Sequence, residues 1–148
     1  MRTIKKCLAT LLLLTIALTV SAQEMSKEEV EKTLQDYVEE VNAKCPVNDG
    51  NGFILVMGFE DNQMNIAYGV DAEKYEQIGT HPDVAKADYL EKAMKDEEKL
   101  GMMALLHMVD ATLSVIYFNA DTQDKEHFHT LVFTSEELEE ALSPQTEE

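Results

Sequence analysis

The chain has 148 residues, with 29 acidic against 12 basic side chains, a formal charge of −17 at pH 7 and two cysteines. A surface this acidic repels phosphate backbones and anionic lipid headgroups, which argues against nucleic-acid and membrane-surface functions.

The first 22 residues read as a secretory signal peptide. Arg2, Lys5 and Lys6 form a basic start, Leu8 to Val20 is apolar, and Val20-Ser21-Ala22 supplies the small residues of a cleavage site, so cleavage is expected between Ala22 and Gln23. The apolar run is shorter than the roughly 20 residues a membrane span needs. The protein is therefore expected to be exported, to the periplasm or the medium. Residues 23–142 are expected to form one α+β domain and residues 143–148 a frayed acidic tail. Three basic residues and no acidic ones lie in the signal, which leaves nine against 29 and a charge of −20. Cys7 leaves with the signal, and Cys45 alone cannot form an internal disulfide in an oxidising compartment.

Ser26 and Glu29 form a capping box, with Met25 and Val30 as its staple. The helix behind it carries Val30, Leu34, Tyr37, Val38, Val41 and Cys45 on one stripe, and Pro46 ends it. Asn48 to Gly52 is a turn. A strand from Phe53 to Phe59 is expected to bury Phe53, Leu55, Met57 and Phe59. After a turn at Glu60-Asp61-Asn62-Gln63 the second strand buries Met64, Ile66, Tyr68 and Val70. Residues 72–80 read as a polar connection with one helical turn. A helix opens at Pro82, with Val84, Ala87, Leu90 and Met94 as its buried stripe. The charged run Lys95 to Lys99 breaks it, and Met102 to Asn119 is the most apolar stretch of the domain. It reads as a helix turning at Val109-Asp110-Ala111 into a strand from Thr112 to Phe118, with Leu113, Val115 and Tyr117 on its fully apolar face. A last strand runs from His127 to Phe133, and Thr134 with Glu137 caps a short final helix. The predicted order is α-β-β-α-α-β-β-α: a four-stranded antiparallel sheet with helices packed on one face.

Asn42 to Cys45-Pro46 at the end of the first helix, then a hairpin, then Leu105-Leu106 on a helix running into Thr112-Leu113-Ser114-Val115-Ile116-Tyr117, resembles a group of small exported bacterial α+β proteins without an assigned function. The resemblance covers most of the domain and implies its fold and export, with no catalytic residues to carry over. The chain departs from the group at Asn48 to Gly52, where an acidic residue and a threonine would lead into the first strand. In layout it also loosely resembles cystatin-like and β-lactamase-inhibitor-like binding modules.

His127 and His129 are the sharpest candidate for chemistry. Two apart on a strand, they would share a face, as strand-borne metal ligands do, with Asp121, Asp124 and Glu126 nearby and His107 as a distant third imidazole. The competing view is a polar hairpin end and, for His107, a satisfied core histidine. Cys45 lies near a helix C-terminus, which disfavours a thiolate, so it reads as core packing. Met57, Met64, Met94, Met102, Met103 and Met108 follow core periods rather than a copper cluster. Neither Asn48 to Gly52 nor Asp121 to Glu126 matches a calcium-binding EF-hand loop. Phosphate-binding, nucleophile-elbow and metalloprotease motifs are lacking. The expected function is a noncatalytic binding or inhibitor-like module, monomeric or weakly dimeric, with no cofactor and a protein partner of basic surface. The alternative is a metal-handling or hydrolytic envelope protein using His127, His129 and nearby carboxylates.

Overall fold

A computed structural model describes residues 25–122 and 124–143. The signal segment and the tail beyond Ser143 lie outside the described residues. The elements are α1 (Lys27–Asn42), β1 (Val47–Asn48), β2 (Phe53–Glu60), β3 (Gln63–Val70), α2 (Ala72–Thr80), α3 (Pro82–Met94), α4 (Glu97–Met108), β4 (Thr112–Asn119), β5 (His129–Phe133) and α5 (Ser135–Leu142).

The sheet has five strands in the order β1-β2-β3-β4-β5. The α+β class stands, but the four-stranded antiparallel sheet is corrected on two counts. Val47 and Asn48 pair with Ile54 and Phe53 as a fifth strand, and β3 pairs with β4 in parallel, from Gln63↔Thr112 to Val70↔Asn119. The parallel pair follows from the connection. Antiparallel neighbours can be joined by a tight turn, whereas three helices carry the chain from the end of β3 back to the start of β4. Residues 72–80 form a helix of nine residues capped by Asp71, which accepts from the Lys74 backbone N–H at 2.8 Å.

The β2–β3 hairpin closes through Asp61 and Asn62, both with positive φ (52° and 61°), the geometry of a two-residue primed turn. Asn62 then donates its amide to the carbonyls of Val109 and Asp110 at 3.1 and 3.0 Å, and accepts from Thr112 N through its own carbonyl. These bonds anchor the entrance of β4 beside β3.

Three rows cross the buried face of the sheet: Met57–Ile66–Val115–Leu131, Phe59–Met64–Leu113–Phe133, and Ile54–Tyr68–Tyr117–His129. Except for His129, every residue in these rows belongs to the core, together with Val30, Leu34, Val38 and Val41 of α1, Tyr89 and Ala93 of α3, and Met102, Met103, Leu105 and Leu106 of α4. The register of β2 differs from simple alternation. Leu55 is an extra residue between the pairs Ile54↔Tyr68 and Val56↔Ala67, so Ile54 turns inward while Phe53, Leu55 and Val56 turn outward. On α3 the buried positions are Tyr89 and Ala93, and Val84 and Met94 are exposed.

Asn42 gains a role from this layout. Strand β1 covers only the start of β2, and beyond it the Asn42 side chain donates to Met57 O (2.9 Å) and accepts from Met57 N (2.8 Å), standing in for a strand partner.

The core also holds charge. Lys99 and Asp49 form an ion pair at 2.9 Å with side chains 4% and 8% exposed. The same Asp49 oxygen accepts the Tyr68 hydroxyl, so the Tyr89 hydroxyl, 3.2 Å from that of Tyr68, must donate to it. The chain Tyr89→Tyr68→Asp49←Lys99 ties α3, β3, the loop after β1 and α4 together. The other Asp49 oxygen accepts from Asn51 N. Gly52 closes this loop at φ +148°, where a side chain would press on Val70 and the Gly69 carbonyl. Burial holds the Tyr68 and Tyr89 phenols well above their ordinary range, keeping both protonated as donors. Lys99→Ala strands the buried Asp49 carboxylate and is expected to cost about 3–5 kcal/mol in urea unfolding, against about 0.5 kcal/mol or less for Lys95→Ala in the exposed pair with Glu91.

Candidate functional site

The face of the sheet opposite the core has its own three rows: Val56–Ala67–Ile116–Thr130, Gly58–Asn65–Ser114–Val132, and Phe53–Gly69–Phe118. None of these residues is charged, and none packs in the cluster that the helices cover, although Ala67 and Ser114 in the middle of the face are buried between their neighbours. Phe53, Leu55, Val56 and Val132 are exposed, Val56 at 54% and Val132 at 49%. Small residues on β3 and β4 (Ala67, Gly69, Ser114) lie between larger apolar ones (Phe53, Val56, Ile116, Phe118, Val132), which makes a shallow uncharged trough with Asn65, Ser114 and Thr130 as its polar positions. Phe128, in the segment before β5, extends it by packing on Phe118 with ring centroids 5.6 Å apart.

The ends of the trough are acidic. Glu60 and Asp61 sit at the β2–β3 turn and Asp110 precedes β4 on the same end. Asp71 and Asp121 follow β3 and β4 at the other end, where Asp121 accepts from Ala72 N at 2.9 Å. Strands β2, β3 and β4 have eight residues each and rise roughly 3.3 Å per residue, so the trough runs about 26 Å along the sheet.

The histidines are not brought together as a strand pair. Strand β5 begins at His129, so His127 lies outside it. His127 is exposed, its Nδ1 2.7 Å from Asp124 Oδ2. The Glu126 backbone N–H, and then His127, hold the Asp124 carboxyl below its usual range. His129 lies on the core face, its ring 4.3 Å from that of Tyr75 on α2 and over Gly79, where a side chain would strike it. His107 lies between α4 and α5, its Nδ1 3.4 Å from Ser135 Oγ. Among the described residues no three His, Cys, Asp or Glu side chains are grouped to hold a metal. The Cys45 thiol is partly buried against the core and donates to Val41 O at 3.3 Å; burial pushes its pKa up, away from a thiolate. Met57, Met64, Met102 and Met103 fill the core.

Sequence reasoning missed the trough because the outward residues of β3, β4 and β5 mix Asn, Gly, Ser and Thr with apolar neighbours. The bulge at Leu55 is what delivers Phe53, Leu55 and Val56 to that face.

No family model and no curated protein matches the sequence. Among solved structures, the fold is similar to that of PA3611 from Pseudomonas aeruginosa, a protein described as secreted, at a TM-score of 0.56 and 16% identity over 78% of this chain and 97% of that one. The likeness is one of fold. Among the described residues no helix is long and apolar enough to cross a membrane.

Zinc titration by calorimetry in moderate salt is expected to show no submicromolar site, because an exposed His127 and a stacked His129 leave a four-ligand shell unassembled. Submicromolar binding lost in a His127→Ala, His129→Ala double variant would reverse that expectation.

Proposed function

We propose that this chain is an exported, noncatalytic binding module that docks a protein partner on the bare face of its sheet. The observation that carries the proposal is the uncharged trough of Val56, Ile116 and Val132, flanked by carboxylates at both ends. An apolar centre with a polar rim is the anatomy of a protein interface. The acidic ends select a partner whose matching apolar patch is bordered by lysine or arginine, and they oppose a second copy of this chain, which would bring like charges together. The basic start and apolar run of residues 1–22 support export, as does the similarity of fold to a protein described as secreted.

A photo-crosslinking residue placed at Val132 or Val56 in the producing cell tests this. The expected result is one discrete adduct, the same from both positions, weakened by salt and absent when the residue replaces Lys32 on the exposed face of α1. Adducts of equal yield and pattern from Lys32 would contradict a docking face, and an adduct of twice the chain mass would replace the basic partner with a second copy.

A further inference from the structure

On the helix side of the sheet, away from the trough, α2 and α3 diverge to leave a groove of about 710 Å³ whose floor is Tyr117. The volume lies within the range of small-ligand sites. Three features make it more than a gap between helices.

The first is the floor. Tyr117 is only 2% exposed, stacks on Tyr68 at 5.5 Å and lines the groove. As part of the lining, its hydroxyl can exchange a hydrogen bond with whatever enters. The second is Lys74. Among the described residues six other lysines are ion-paired, whereas Lys74 is half-buried and donates only to the Asn51 carbonyl. Burial, then the nearby Lys92 ammonium, pulls the Lys74 pKa down against the opposing pull of Asp88, Asp49 and Asp71. An added carboxylate would offset both by its attraction for the ammonium. The third is the rest of the lining. Asp88, held 3.0 Å from Lys92, with Glu73 and Asp71, supplies negative charge, and Ile78 and Ala85 supply an apolar wall.

A plain anion would meet these carboxylates as well as the lysine. A plain cation would leave Lys74 and the phenol unanswered. We infer that the groove binds a small apolar zwitterion, a free amino acid or short peptide with aliphatic side chains. Its carboxylate lies between Lys74 and the Tyr117 hydroxyl, its ammonium faces Asp88 and Glu73, and its side chain rests on Ile78 and Ala85. This site is independent of the trough on the other face of the sheet.

Calorimetric titration of the purified protein with leucyl-leucine, N-acetyl-leucyl-leucine and leucyl-leucinamide tests it. Leucyl-leucine is expected to bind saturably, and each blocked form about tenfold more weakly or worse, since each loses one charge-assisted contact. Tyr117→Phe keeps the stacked ring and removes only the hydroxyl, and Lys74→Met keeps the stem. Each is expected to weaken leucyl-leucine binding about tenfold while leaving the melting curve close to wild type. Should Lys74→Met fail to fold, Tyr117→Phe decides alone. Absence of saturable binding at millimolar peptide, equal binding of either blocked form, or insensitivity to Tyr117→Phe would each overturn the inference.

Discussion

The parallel pairing of β3 with β4 is the constraint on which the rest of this structure depends. Two adjacent parallel strands require the chain to return along the sheet, and here α2, α3 and α4 make the return. These three helices, with α1 and α5, bury the rows built on Tyr68, Ile66 and Met64. The opposite face is left bare. An all-parallel sheet would normally be covered on both sides, whereas the antiparallel pairs flanking β3 and β4 permit one open face. The trough is therefore a consequence of topology, and its lack of charge is the part that sequence adds.

The same crossover explains why charge is buried. Lys99 is in the first turns of α4, directed inward by the helix that must cover β3, and the loop after β1 brings Asp49 to meet it. An apolar pair of the same volume could pack as well or better, so the ion pair is not a source of stability in itself. What it supplies is geometry. With Tyr68 and Tyr89 it fixes the loop at residues 48–52 relative to two helices, in a domain that has no disulfide to do so. Tyr117, stacked on Tyr68, places the floor of the helix-side groove on the same fixed cluster.

Local signals were legible in the sequence, and non-local ones were not. The caps at Ser26 and Thr134 both accept from the residue three positions on, as their capping boxes imply. The alternation of Met64, Ile66, Tyr68 and Val70 gave the inward face of β3, and that of Leu113, Val115 and Tyr117 gave β4. Pairing direction has no local signature here: a strand in an antiparallel or a parallel ladder alternates alike. Strand β1 is two residues long and exists because β2 needs a partner. The bulge at Leu55 flips a pattern that reads smoothly on paper. Lys99 looked like part of a solvated charged run because its partner lies 50 residues earlier. For the site, residue identity alone drew attention to His127 and His129, while the trough is assembled from four strands and the groove from two helices and a strand.

Helices cover one face of this sheet and leave the other open, and solvent paramagnetic relaxation of methyl groups measures that directly. With a soluble gadolinium chelate, the methyls of Val56, Ile116 and Val132 are expected to relax strongly, and those of Val115, Leu113 and Leu131, their neighbours through the sheet, to remain protected. Equal protection on both faces would contradict the account.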